Sequence, residues 1–366
     1  MKKLPNNIQI RQATLADKQA IFSFLRLAYP DRWQFKFPDR WEWEFEHNPF
    51  LQGENLPIWI ALDGEQVIGQ SCALIEPLIM YEKETMVGWG VDFSVLPEYR
   101  GQGLGTHLQQ ANNDGNEIFM SLSMALVAAK IKSKIGLQPL NPVPVFTKLV
   151  HHEPGSVLQT LAGRTKMPVN ILRGAGLHRL GAKLLTARDA RRDRKLLTLP
   201  AGEVELTPVQ HFGPEVDVLW ERASQKFSAL IRRDSKYLNW KFTQQPHVQH
   251  ERIIAQRAGR VEGYVVFRRA LPPERNAGLI LDVFADPEDR ALVRTLFGVA
   301  TQRLRDQGVA YIQAASSVRT FQEVLQALGF KQTQAFTPMI RAGLAIPETG
   351  WLLGKGDHDW DQYPLA

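Results

Sequence analysis

The chain has 366 residues, 44% of them hydrophobic and 22% charged, with a formal net charge of +6 and a single cysteine. That length predicts two domains, each large enough to bury a core. No run approaches 18 uninterrupted apolar residues, no apolar region follows the lysines of "MKKLPNNIQIRQ", and Cys72 has no partner for a disulfide. A secreted or membrane-spanning protein is therefore not expected, and a cytoplasmic one is. The positive charge is local: residues 151–200 hold 10 Lys/Arg against 3 Asp/Glu, and the remainder holds 34 against 35. Basicity confined to one segment does not mark a DNA-binding protein.

In chain order, "NIQIRQA" reads as a strand and "LADKQAIFSFLRLAY" as a helix, and the Trp-rich "PDRWEWEFEHN" follows as a second helix. Strands are predicted at "PIWIALDG", "QVIGQSCALIEPLIM" and "TMVGWGVDFSVL", then a helix from about Gly103 to Ile118 and the strand "IFMSLSM". A helical run "ALVAAKIKSKIGL" and the strand "VPVFTKLV" close this half. Beyond the basic segment the pattern resumes with the strand "EVELTPV" and the helix "PEVDVLWERASQ". The strands "ERIIAQRA", "RVEGYVVFRRA" and "GLILDVFA" come next, then the helix "DRALVRTLFGVATQRLRDQG", the strand "YIQAASS" and the helix "FQEVLQALGF". Antiparallel strands followed by a strand–helix–strand crossover predict an α/β fold: in each half a mixed, mainly antiparallel sheet with helices on both faces.

The halves resemble each other. Trp43, Phe45 and Pro49 match Trp240, Phe242 and Pro246; Gly69 matches Gly263; and "DFSVLPEYR" (Asp92 to Arg100) matches "DVFADPEDR" (Asp282 to Arg290). Three matches in one order predict two copies of a domain. The expected boundaries are 8–150, a basic and partly helical linker over 151–200, a second copy over 201–345 and a tail over 346–366. In the linker, Ile171, Leu172, Leu177, Leu180 and Leu184 recur near helical spacing among Lys and Arg. A segment of this kind, 164–195, suits either a weak contact with an anionic surface or a helix with its charged face in water.

Between the strand ending at Val95 and the helix after Gly103 lies "V-x-P-x-x-R-G-x-G-x-G". The first turn of a helix presents unpaired N–H groups and the positive end of its dipole. Glycines there let a pyrophosphate approach. A P-loop would end in Gly-Lys-Ser/Thr, whereas Gly105 precedes Thr106 and His107. The loop resembles the acyl-CoA-binding motif of the GCN5-related N-acetyltransferase (GNAT) superfamily. That resemblance implies that Val95, Arg100, Gly101, Gln102, Gly103, Leu104, Gly105 and Thr106 hold acetyl-CoA or another acyl-CoA as co-substrate. The pantetheine would lie between this strand and the next. In the second half Ala291, Val293 and Thr295 stand where the glycines were, so that copy is expected to keep the fold without the cofactor.

The resemblance also implies direct attack of an amine on the thioester, with a carboxylate base and a tyrosine acid. Asp92, Glu84 and Tyr99 are the catalytic candidates. Lys132 stands where the tyrosine would be, four residues before Gly136-Leu137. Trp33, Phe35, Phe37 and Trp41, which do not recur in the second half, are the candidates for acceptor contacts. No closed metal-ligand set is present at a recognised spacing. The expected activity is N-acyl transfer to a primary amine, such as an amino sugar or amino acid. An inactive acyl-CoA-binding protein and a transferase using aminoacyl-tRNA remain alternatives.

Overall fold

The computed structural model describes residues 4–123, 132–152, 154–155, 157–158, 177–197, 204–271 and 276–359. Its first elements are β1 (Ile8–Thr14), α1 (Lys18–Ala28), α2 (Asp39–Phe45), β2 (Asn55–Asp63), β3 (Gln66–Met80) and β4 (Lys83–Val95). Next come α3 (Leu104–Asp114), β5 (Ile118–Ser123), β6 (Gln138–Pro139), β7 (Val143–Leu149), α4 (Leu177–Leu197), β8 (Glu205–Pro208) and α5 (Glu215–Ala223). Then follow β9 (Ala229–Ile231), α6 (Ser235–Phe242), β10 (Glu251–Arg257), β11 (Arg260–Arg269) and β12 (Ala277–Ala285). The chain continues with α7 (Arg290–Asp306), β13 (Tyr311–Ala315), α8 (Arg319–Ala327), β14 (Lys331–Ala342) and β15 (Trp351–Leu352).

The chain divides into two compact units, and neither is a contiguous stretch. One comprises residues 1–143, 224–249 and 336–352; the other comprises 144–223, 250–335 and 353–366. In the first, β1 to β4 pair antiparallel in sequence order, β4 pairs parallel with β5, and β5 pairs antiparallel with β14. In the second, β8, β10, β11 and β12 pair antiparallel, β12 pairs parallel with β13, and β13 pairs antiparallel with β7. Each unit is thus an open, mixed and mainly antiparallel α/β sheet.

Two sequence expectations are corrected here. The strand "VPVFTKLV" was expected to close the first half, yet β7 bonds to β13, and the first unit's sixth strand is β14. Strand pairing is non-local, so hydrophobic pattern alone does not name the partner. The helix expected to run to Ile118 stops at Asp114, capped by the Gly115 amide on Ala111 O. Ile118 already belongs to β5. Most of the run "ALVAAKIKSKIGL" lies outside the described residues, as do Ile171 and Leu172.

Burial explains the first unit's sheet. On β3 every residue from Val67 to Leu74 is buried, the signature of a strand covered on both faces. On one side α1 packs Ile21, Phe22, Phe24 and Leu25 inward, positions one helical face provides. On α3, Leu104 and Leu108 are buried, and Arg341 of β14 holds the C-terminal end of the helix through Asn113 Oδ1 at 2.7 Å and the Asn113 carbonyl. A guanidinium at a helix C-terminus complements the dipole.

The recurring tryptophans meet within this unit. Trp43 on α2 stacks on Trp240 on α6 at 4.9 Å, and its indole N–H donates to Trp240 O at 3.0 Å. Lys241 Nζ sits 5.7 and 5.8 Å from the two ring centroids and bonds Glu76 Oε1 at 2.8 Å, with Tyr237 OH donating to the same oxygen at 3.0 Å. Glu76 and Lys241 are fully buried. Removing one partner of a buried pair strands the other's charge, which costs about 3–5 kcal/mol. Lys241→Met is therefore expected to lose about that much in urea unfolding, and Glu76→Gln/Lys241→Met to recover part of it. A single variant as stable as the parent would overturn this role.

Candidate active site

β4 is bonded to β3 from Lys83 to Val95, but to β5 only over Val87–Ile118, Gly88–Phe119 and Trp89–Met120. Past Trp89 the two strands part, while on its opposite edge β5 stays paired with β14 along its whole length, from Ile118 to Ser123. On its other edge β4 carries a bulge: Ser94 faces Gln70 and Val91 faces Cys72. Asp92 lies in this bulge with φ +44, a region costly for a non-glycine residue. Gln70 Nε2 donates to Asp92 O at 3.2 Å, and Cys72 is fully buried below it, its thiol pushed up by burial.

At the far end of β4 the chain enters the glycine loop. Gly101 and Gly103 have φ +78 and +93, and Gly103 is the N-cap of α3 with no side-chain cap. A Cβ built on Gly101 meets nothing within 4 Å, whereas one on Gly105 comes within 2.9 Å of the Phe93 ring. The three glycines therefore have different physical reasons. Two supply left-handed backbone, and the third makes room for Phe93. Val95, Arg100, Gly101 and Gly105 line a cavity of about 310 Å³ with Phe93, Ser94 and Tyr99. Arg100 is not a loose charge there: its Nε donates to Val95 O at 2.9 Å and ties the loop to the strand. Leu104 turns its side chain into the core, Gln102 Nε2 reaches Glu98 O at 3.2 Å, and the Thr106 amide bonds Gly103 O at 3.0 Å.

The corresponding corner of the second unit differs by a helical turn. There α7 begins at Arg290, the match of Arg100, whereas α3 begins only at Leu104. Asp289 caps α7, accepting from the Leu292 amide at 2.9 Å, and pairs with Arg257. Val293 and Thr295 are buried, with Thr295 Oγ1 donating to Ala291 O at 2.9 Å. The sequence suggested side chains crowding an anion's approach. In the structure Val293 and Thr295 point inward while Ala291 is exposed, and it is the chain's own carboxylate that takes the helix N-terminus.

Residues 18–111 match the acetyltransferase (GNAT) family model. That stretch runs from α1 into α3 and contains the glycine loop. Among curated proteins none matches the chain. The fold resembles a GCN5-related N-acetyltransferase from Anabaena variabilis, at 11% identity and TM-score 0.59, covering 91% of this chain and 72% of that one. It also resembles Saccharomyces cerevisiae N-myristoyltransferase with bound myristoyl-CoA, at 11% identity and TM-score 0.56, covering 92% and 79%. A GCN5-related N-acetyltransferase from Kribbella flavida gives 13% identity and TM-score 0.52, covering 92% and 71%. At such identities the likeness is one of fold.

On this GNAT-like frame the catalytic candidates are scattered. The Asp92 carboxylate is paired through Oδ1 with Lys36, and the same oxygen lies 3.9 Å from Arg40, so two cations hold its charge. Glu84 is at the start of β4, before the segment paired with β5, and bonds Arg232 at 3.0 Å. Tyr99 OH donates to Asp63 at 2.8 Å, which raises its pKa. Of the aromatics, Phe37 and Trp41 are buried around Phe22, stacked at 4.3 Å and edge-on at 5.2 Å. Trp33 is half-buried and Phe35 exposed.

Lys132 occupies the inner end of the split. Its ammonium donates to Ser121 Oγ and lies 3.4 Å from Leu122 O. A Cβ built on Gly90 of β4 would approach Ser121 Oγ at 3.4 Å and the Phe119 ring at 2.8 Å. Lys132 thus stands beside the point where the strands part. Burial lowers its pKa to about 8. The sequence located this position but offered no reason for a lysine there. Phe93 and Ser94 in the cavity wall, and Lys36 and Arg40 on Asp92, carried no sequence signal beyond their types. Among the described residues no group of three or more His, Cys, Asp or Glu is placed to hold a metal.

Gly101→Ala is expected to lower stability by about 1 kcal/mol, from backbone strain alone. Gly101→Asn, which tolerates left-handed φ, should cost less in the same urea titration. Equal costs would contradict the left-handed requirement.

Proposed function

We propose that the chain is an N-acyltransferase that moves an acyl group, acetyl in the simplest case, from acyl-CoA to a primary amine. The observation that carries this reading is the left-handed Gly101–Gly103 loop, which opens the N-terminus of α3 beside the split between β4 and β5. The pyrophosphate would lie on the first amides of α3, and the pantetheine would enter the split. Backbone donors on the β4 edge past Trp89 would polarise the thioester carbonyl. Of the four candidate aromatics, Trp33 and Phe35 keep surface for an acceptor.

In the reaction the amine nitrogen bonds the carbonyl carbon, and the C–S bond breaks. The departing thiolate takes a proton from Lys132 Nζ, which water then restores. The proton lost by the attacking nitrogen leaves to water. Lys132 suits this role because its partner Ser121 faces the split, and a lysine near pKa 8 is a stronger acid than an exposed one. With Asp92 committed to Lys36 and Arg40, Asp92 is read as a strut for the β4 bulge.

The chain is further read as a duplication. The second unit repeats the strand pairing of the first, and Asp282, the match of Asp92, accepts from Tyr264 OH at 2.7 Å. Its role is structural, with its helix N-terminus occupied by Asp289.

Calorimetry with acetyl-CoA should show binding that Gly103→Val abolishes and Ala291→Val leaves intact; equal effects would sink the asymmetry between the units. With a panel of primary amines, CoA release should accompany binding. Binding without release for any amine would favour a CoA-binding protein. The rate should fall as pH rises through about 8, where Lys132 loses its proton. Lys132→Arg should remove that limb, because arginine stays charged, and Lys132→Met should lower the rate by about 10²-fold. An unchanged alkaline limb in Lys132→Arg would exclude Lys132 as the acid.

A further inference from the structure

The helix α4 sorts its side chains by charge. Its buried face carries His178, Ala182 and Asp193. Asp193 bonds Lys148 at 2.8 Å and pairs with Arg305, and Asp189 bonds His152 at 2.9 Å. Both acidic residues of the helix are therefore engaged on its inward side or flank.

The outward face is different. At about 100° per residue, Leu180, Leu184 and Ala187 fall on one stripe, and all three are exposed. Leu180 keeps 56% and Leu184 61% of its surface in water. Arg179 and Lys183 flank the stripe on one side and Arg188 and Arg192 on the other, all exposed, with Arg188 also bonded to Asp189 at 3.0 Å. Exposed Arg191 falls on the same line, so the apolar stripe ends at Ala187 and gives way to cations toward the C-terminal end. An apolar stripe between two rows of cations is the pattern of a helix lying in a membrane interface. The leucines enter the acyl boundary while Lys and Arg reach the headgroups. An RNA backbone would use the cations but leave the two leucines at the centre of the contact without a partner, and the face has no aromatic ring for base stacking.

We propose that this face of α4 binds the surface of an anionic bilayer. The binding requires both the leucine stripe and the flanking cations, and it is independent of the acyl-transfer reading. The test is sedimentation of the full chain with phosphatidylcholine vesicles, with and without phosphatidylglycerol. Binding is expected only with phosphatidylglycerol, and high salt should weaken it. Leu180→Ser/Leu184→Ser should weaken it by at least about tenfold, and Arg179→Glu/Lys183→Glu/Arg188→Glu should abolish it. All these positions are solvent-exposed, and an unchanged melting curve verifies the fold of each variant. Absence of vesicle binding by the parent chain would overturn the proposal. So would leucine variants that bind as the parent does, or RNA retention insensitive to the leucine changes in a chain that ignores vesicles.

Discussion

Along β4 the backbone hydrogen bonds are unequal on the two edges. One edge is held by β3 over the whole strand, while the other is held by β5 for three residues only. A backbone edge inside a fold must find partners or face a space that a ligand or water can fill. Here β5 is held on its far edge by β14, and β4 is held from the β3 side by a ladder that runs from Lys83 to Val95 with a bulge at Asp92. The setting of Lys132, bonded to Ser121 beside Gly90, depends on that divergence.

The cost of holding a strand in this way shows in its surroundings. Asp92 is kept at φ +44 by Lys36 and Arg40 on its carboxylate and by Gln70 on its carbonyl. Arg40 is itself buried against Glu44 at 3.0 Å. Strained backbone persists where neighbours over-determine it. At one end of α3 Arg341 holds the carbonyls, and at the other the glycines leave the amides without a side-chain cap. The helix is anchored at its negative end and open at its positive end, which is the polarity an anionic ligand needs.

The second unit shows what the same pairing scheme does without this opening. Its helix starts a turn earlier, its N-cap is a carboxylate, and the matching aspartate accepts from a tyrosine hydroxyl. A few side chains separate a capped helix N-terminus from an uncapped one on similar strand pairing.

Much of this was legible in the residues. Alternation and helical spacing located most strands and helices, because burial on one face imposes a period on the sequence. The glycines marked the loop, since left-handed backbone admits few other residues. What the sequence could not decide was which distant segments share a sheet. β7 and β14 are each bonded outside the half in which they occur, a choice made by non-local hydrogen bonding that leaves no local pattern. Nor could it distinguish Phe37 and Trp41, packed in the core, from Trp33 and Phe35, which keep exposed surface, because all four are aromatic and closely spaced. The setting of Lys132 was likewise tertiary: its burial, and with it the lowered pKa, arises from strands brought together only when the chain folds.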